Sequence, residues 1–414
     1  MSISLLAEKT KLFAKEHLSF LVIVMGGLSF LLANILLKEV LNEAAYGVYS
    51  LVITFVSIVY IYGLLGFEQV FLRYSKYKQA NTIITQKSFL SYVYIIVVTI
   101  SAVALIFFVW KYFSYYNNLW AIALAMLGTA YSLFLFNVFR LNHEFVKAQL
   151  LANSWRIILL ILAVFFWLSN YDNVDSLLNL VLLAIVLVTI IAGLITREKI
   201  KFVYTDILPK KETRLSFVHF FISISTLSLL LFGDRLIVEA QLGVVAMGDY
   251  FYLCNLVLAP FTLLQSYVGF RQLIQFKDDF SLAKFKKFNK QIILFSLMLS
   301  AVIGIVIIAV TKLNVLNFSF WDFRWTIVLL IILGMIRLYS ASVLSAFEAK
   351  TSIHTLKQTN LWVITVSIVL LVIFSQFFNS LNSIVIGFIL LWFGRTMIYR
   401  YMLIKQIKEY STGG

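Results

Sequence analysis

The chain is 414 residues long, 62% hydrophobic and only 13% charged, with a mean hydropathy of +0.95 and a formal net charge of +15. No water-soluble domain hides that much apolar surface, so an enzyme of the aqueous phase is ruled out and a membrane protein is expected. A bilayer core about 30 Å thick takes about 20 helical residues per crossing, and lipid offers the backbone no hydrogen-bond partners, so the long apolar runs read as transmembrane helices.

Residues 1–17 (MSISLLAEKTKLFAKEH) are basic and amphipathic and lack a signal-peptide cleavage pattern, so they read as a surface helix. Spans are then expected at about 18–37, 46–66, 89–110, 117–138, 148–169, 176–195, 215–237, 249–269, 291–311, 325–346, 360–378 and 383–403. The runs are long and unbroken, as in FLSYVYIIVVTISAVALIFFVW from Phe89; barrel strands would be about ten residues and would alternate. Between the sixth and seventh spans lies REKIKFVYTDILPKKETR, which contains Pro209, one of 2 prolines. The expected organisation is therefore an N-terminal six-helix lobe (1–196), a basic cytoplasmic linker (197–214), a C-terminal six-helix lobe (215–404) and a cytoplasmic tail (405–414).

Lys and Arg set the orientation. With both termini in the cytoplasm, the loops on that side hold nearly all of them, and the opposite side keeps only Lys38, Lys111, Lys312 and Arg324. The net charge is then a topology signal and a contact with anionic lipid headgroups, not a nucleic-acid surface. The outward loops are as short as SNYDNVDS and NSLN, which leaves no room for a folded catalytic domain outside the bilayer.

Catalytic chemistry is hard to find. Cys254 is the lone cysteine, which excludes a disulfide within the chain and disfavours a thiol metal site. His17, His143, His219 and His354 are scattered, without metal-ligand spacing, and there is no Walker A, GxSxG or CxxC pattern. Transport is expected rather than catalysis, with no bound cofactor and no metal. A repeat supports this. AAYGVYSLVIT (44–54) matches VAMGDYFYLCN (245–255), pairing Gly47 with Gly248 and Tyr49 with Tyr250 at the opening of the second helix of each half. Six helices per half make the repeat parallel, so an all-α membrane protein of two lobes related by a pseudo-two-fold around a central cavity is expected, working by alternating access.

The stretch ANILLKEVLNEAAYGVYSLVITFVSIVYIYGLLGFEQVFLRYSK from Ala33 resembles the N-terminal signature of Wzx-type polysaccharide flippases. LLLFGDRLIVEAQLGVVAMGDYFYL from Leu229 resembles its second-half counterpart, an x-D-R pair followed by G-x-Y. These flippases belong to the multidrug/oligosaccharidyl-lipid/polysaccharide exporter superfamily. The resemblance implies a bacterial inner-membrane protein that moves an undecaprenyl-diphosphate-linked oligosaccharide, such as an O-antigen unit of lipopolysaccharide, to the periplasmic leaflet. It also implies coupling to an H+ or Na+ gradient, and the polymerase and glycosyltransferases of the same pathway as partners.

Ionisable residues deep in a span are costly and mark function by default. Arg337 lies about twelve residues into the tenth span, roughly 18 Å deep at about 1.5 Å per residue. Arg395 is similarly deep, although it can snorkel toward Arg400, and Arg156 is shallower. A diphosphate needs fixed cationic donors, and the guanidinium is a planar fork that suits phosphate oxygens. Arg337, Arg395, Arg156, Arg235 and Asn34, which aligns with Arg235 in the repeat, are the expected substrate contacts. Asp234, Glu68, Asp249 and Pro260 are the expected coupling or gating positions: the acid of the D-R pair near the outer end of the seventh span, an interfacial acid after the second, an acid near a helix N-terminus, and a kink. Gly26 and Gly27 allow close helix packing, and Trp110, Trp120, Trp167 and Trp325 near span ends fit an aromatic belt. Structural ion pairs, interfacial helix ends and static kinks are the plain alternatives at these sites. Two other functions stay open: a cation-coupled multidrug exporter of the same architecture, which would need intramembrane acids, and a membrane polysaccharide polymerase or ligase, which would need a long outer loop.

Overall fold

The protein is described by a computed structural model covering residues 3–412 except Gln79, Leu208, Asp279, Asn314, Val315, Asn317 and Ser352. In chain order its elements are α1 (Ile3–Val40), α2 (Glu43–Tyr62), α3 (Phe67–Tyr74), β1 (Lys76–Lys78), β2 (Thr82–Gln86), α4 (Phe89–Tyr112), α5 (Leu119–Leu141), α6 (Phe145–Ser169), α7 (Val174–Lys199), β3 (Lys201–Thr205), α8 (Lys210–Val257), α9 (Ala259–Asp278), α10 (Leu282–Leu313), α11 (Arg324–Lys350), α12 (Ile353–Ser375) and α13 (Leu381–Thr412). Among the described residues, 11 helical stretches are long and apolar enough to cross a membrane, and the chain is a multi-pass membrane protein. The expected seventh span and the first part of the eighth run together as α8, a helix of 48 residues bent at Gly243. The rest of the eighth forms α9.

Several helix starts follow from capping. Asn42, Asn118 and Asn173 each accept a hydrogen bond from the backbone N–H three residues on, at Ala45 (2.9 Å), Ala121 (3.2 Å) and Ser176 (2.9 Å). Each satisfies a donor that the first turn of α2, α5 or α7 leaves open.

Contacts divide the chain into two compact units, Met1–Ser228 and Leu229–Gly414. The division falls inside α8 rather than in the 197–214 segment. The first turns of α8 belong to the first unit because they pack on it: Tyr62 donates to the Ser225 carbonyl at 3.4 Å, and Phe67 meets Phe217 edge-on at 6.2 Å.

Within the first unit, α1 lies along α6, and α5 packs on α7, α4, α6 and α2. Gly26 permits the first of these contacts, since a Cβ there would stand 2.4 Å from Asn153 Oδ1. In the second unit α11 is central, packed on α9, α13 and α10. Its buried face is rich in small residues (Gly334, Ser340, Ala341, Ser342, Ser345, Ala346), which let neighbouring backbones approach closely. The outward faces stay apolar, as at Ile95, Val98 and Ile106 of α4, where lipid replaces protein.

A small sheet interrupts the helical pattern. β1 and β2 form an antiparallel hairpin, and β2 pairs in parallel with β3 from Thr82↔Lys201 to Gln86↔Thr205. Ala80 and Asn81 turn the hairpin in left-handed conformations (φ 63° and 56°). Asn81 then joins three loops: its carbonyl accepts from Lys201 N at 3.1 Å, and its Oδ1 accepts from Asn142 Nδ2 at 3.3 Å. The loops after α3, α5 and α7 therefore gather at one end of the first unit, as expected of loops on one side of a bilayer.

Candidate functional site

In the second unit the long-range fold brings three of the deep arginines and an acid to neighbouring turns of α8, α11 and α13. On α13, Trp392, Arg395 and Tyr399 share a face through spacings of three and four residues. Trp392 is fully buried and fixed by its indole N–H, which donates to the Leu230 carbonyl at 3.0 Å. The Arg337 guanidinium from α11 stands 5.3 Å from the Trp392 ring, and that of Arg395 also stands 5.3 Å away. Arg395 lies 5.0 Å from the Tyr399 ring and donates to Ser340 Oγ at 3.5 Å. Both arginines are buried, at 6% and 5% exposure. The Nε–H of Arg337 has no protein acceptor.

Asp234 faces this group from α8. Its Oδ2 accepts from Tyr250 at 2.7 Å and its Oδ1 from the Arg235 backbone N–H at 2.9 Å. The carboxylate lies in the field of Arg235 and Arg337. Arg235 is itself stacked on Phe232 and Phe251, at 5.3 and 5.0 Å. A second acid, Glu239, is buried further along α8. Cation–π contacts are worth about 2 kcal/mol when desolvated, which is less than the several kcal/mol needed to hold each guanidinium out of water. The Asp234 carboxylate offsets part of the remainder for Arg235 and Arg337.

In the first unit Arg156 donates to Asn153 at 3.1 Å and stands 5.5 Å from both the Phe30 and Trp155 rings, with its Nε–H unsatisfied. Glu68, on α3, is buried with Oε2 lacking a hydrogen bond, in the field of Arg140. Tyr60 lies in electrostatic range of Arg156, Arg140 and Glu68. Asn34 is fully buried, donating to the Phe30 carbonyl at 2.6 Å and accepting from Tyr46 at 3.1 Å.

Asp249 is half-buried on the arm of α8 that follows Gly243. Pro260 follows a one-residue break between α8 and α9, where Leu258 N–H donates to Cys254 and Thr262 N–H to Leu258, both at 2.9 Å. Its missing donor is the physical reason for the break.

The repeat is visible in these contacts. Each half opens with two helical arms joined at a corner, Asn42 in the first and Gly243 in the second, positions equivalent in the repeat register. In each, a buried tyrosine of the second arm donates to a polar side chain of the first: Tyr46 to Asn34, and Tyr250 to Asp234. In the repeat register Tyr250 corresponds to Tyr49 rather than Tyr46, so the two bonds join the arms from different turns.

Trp392, Tyr399 and Ser340 carry no local sequence signal that marks them for a site. The G-x-Y motif was a signal for Tyr250, which proves to be the partner of Asp234. Arg140 reads as a loop cation but sits in the last turn of α5.

No family model matches this sequence, and no curated protein matches it. Solved structures do match in fold over nearly the whole chain. An inward-facing conformation of a multidrug resistance MATE family transporter of the MOP superfamily aligns with TM-score 0.57 and 12% identity, covering 95% of this chain and 99% of that one. An outward-facing conformation of such a transporter aligns with TM-score 0.55 and 14% identity, covering 97% of each chain. A MOP superfamily transporter from Pyrococcus furiosus, presented as having a binding pocket of reverse polarity, aligns with TM-score 0.53 and 12% identity, covering 96% of each. The chain has the fold of MOP superfamily transporters.

Proposed function

We propose that this protein is a membrane transporter that works by alternating access and that its cargo is an anionic amphiphile: an undecaprenyl-diphosphate-linked oligosaccharide, flipped across the bacterial inner membrane. The observation that carries the reading is the buried pair Arg337 and Arg395, each 5.3 Å from one pinned indole, with an unsatisfied Nε–H on Arg337. Guanidinium forks held by packing are suited to the oxygens of a diphosphate. Arg235 and, in the first unit, Arg156 add cationic groups of the same kind. Energy from a proton or sodium gradient would enter through a buried carboxylate, Asp234 or Glu68, without any cofactor. Such a flippase hands its product to a polymerase and receives its substrate from glycosyltransferases, and both kinds of enzyme are proposed as pathway partners.

A second reading, a cation-coupled multidrug exporter, is favoured by the solved structures of this fold, which include multidrug resistance transporters. The arginines weigh against it, because an organic cation would be repelled where Arg337 and Arg395 stand. Reconstituted vesicles separate the two. A fluorescent polyprenyl-diphosphate saccharide in one leaflet should become accessible to a membrane-impermeant quencher from the other at a protein-dependent rate, and ethidium should not be moved. Ethidium transport with no lipid flipping would select the multidrug reading.

A further inference from the structure

The arginines above are deep in the spans, but a separate basic cleft opens at the end of the first unit where the three loops gather. It has a volume of about 560 Å³ and is lined by Leu72, Lys76, Tyr77, Arg140, His143 and Phe145 among others. We propose that this cleft binds the phosphate of an anionic lipid headgroup, as a site distinct from the one that handles cargo.

Three observations build it. The first is charge in fixed positions. Arg140 donates to Asn137 at 3.3 Å and stacks at 5.6 Å from the Phe136 ring, so its guanidinium is oriented before any ligand arrives. Lys76 reaches the same cleft from β1, and no carboxylate is among the lining residues. Glu68 acts on Arg140 from its buried position on α3.

The second is His143. It closes α5 with φ 60°, its N–H donating to the Arg140 carbonyl at 3.0 Å while Glu144 N–H donates to Phe139 at 2.9 Å. This is the left-handed helix-end position at which glycine is the least strained residue, so a β-carbon there is strained. What the strain provides is an imidazole on the cleft wall, held edge-on to Tyr77 at 5.3 Å and near Phe145 at 6.0 Å.

The third is a rigid frame. The Asn142–Asn81 bond ties the α5–α6 corner to the β-hairpin, and the parallel pairing with β3 ties the hairpin to the loop after α7. These bonds join the two walls of the cleft. Leu72, Leu141 and Phe145 give the cleft an apolar side, which suits an amphiphile better than a free ion. Its place on the lysine- and arginine-rich end fits a leaflet surface that attracts cations. The second unit supplies a natural control: a cleft of about 400 Å³ lined by Phe280, Ser281, Lys350 and Gln406 among others, with a single cation.

The test is lipid binding by the purified full chain, delipidated and titrated with phosphatidylglycerol or phosphatidylcholine under native mass spectrometry. Inorganic phosphate serves as competitor. Wild type should hold one phosphatidylglycerol in preference to phosphatidylcholine, and inorganic phosphate at about the same concentration should not displace it. Arg140→Gln removes a charge-assisted contact worth about 1.5–3 kcal/mol, so affinity should fall at least about tenfold. His143→Gly should lower affinity severalfold while raising the apparent melting temperature, because it relieves the left-handed strain. A destabilised fold alone would not give that opposite movement. Lys350→Gln should change nothing. Equal retention of the two lipids, or unchanged binding in both His143→Gly and Arg140→Gln, overturns the proposal. Displacement by equimolar inorganic phosphate overturns the lipid source and leaves a free-phosphate site.

Discussion

Tyr250→Phe and Tyr46→Phe each remove a buried hydroxyl that joins the two arms of one half, and their costs should differ. Both rings are fully buried, so each change keeps the packing and deletes only a hydroxyl. The Tyr250 hydroxyl donates to the Asp234 carboxylate at 2.7 Å across the Gly243 bend, whereas that of Tyr46 donates to the Asn34 amide at 3.1 Å across the Asn42 corner. A hydrogen bond to a charged group contributes about 1.5–3 kcal/mol and one between neutral groups about 0.5–1.5 kcal/mol. Tyr250→Phe also leaves Oδ2 of a buried carboxylate without its donor. We expect Tyr250→Phe to cost about 2 kcal/mol and Tyr46→Phe about 1 kcal/mol. Equilibrium unfolding in mixed micelles measures both on the same footing. A double-mutant cycle of Tyr250→Phe with Asp234→Asn isolates the pair and should return a coupling of at least about 1 kcal/mol. Equal costs for the two tyrosines, or an additive cycle, would refute the claim that a charged pin holds the second corner and a neutral one the first.

Other outcomes follow from the same geometry. Arg337→Ala should abolish transport of the lipid-linked saccharide with normal protein levels in the membrane, and Arg337→Lys should retain part of it, because charge survives and the fork does not; full activity of the alanine variant would make the residue structural. Gly26→Ala should force α1 from α6, since its Cβ would stand 2.4 Å from Asn153 Oδ1, at about 1–3 kcal/mol of overpacking, read as lower thermal stability. Gly243→Ala meets no neighbouring atom but inherits φ 88° and ψ 174°, so its cost of about 1–3 kcal/mol is backbone strain alone. A cysteine at Lys201 in a Cys254→Ser background should react with an impermeant maleimide only after the inner membrane is opened; labelling in intact spheroplasts would invert the topology.

The spans were legible because each carries its own signal, an apolar run long enough to cross lipid, and α4, α5, α6, α7, α10, α11, α12 and α13 all lie where such runs predict. What escaped was non-local. β2 and β3 pair in parallel although more than a hundred residues separate them, and TIITQ and KFVYT are too short to announce a sheet. The union of the seventh and eighth spans in α8 turned on Gly243, one glycine in a stretch whose polarity suggested a loop. At the candidate site, depth in a span singled out Arg337 and Arg395, and the D-R pair singled out Asp234. Their partners Trp392 and Tyr399 were invisible because aromatic residues on membrane helices ordinarily meet lipid or interface, and nothing local reveals which ones turn inward.

The most direct measurement of the central claim is where the diphosphate sits. A photoreactive polyprenyl diphosphate, with its crosslinking group next to the phosphates, can be bound to the reconstituted protein, irradiated, and mapped by peptide mass spectrometry. The account expects crosslinks on α11 and α13 near Arg337 and Trp392, lost in the Arg337→Ala, Arg395→Ala double variant. Crosslinks that avoid both helices, or that persist undiminished in the double variant, would contradict the claim that these arginines receive an anionic cargo.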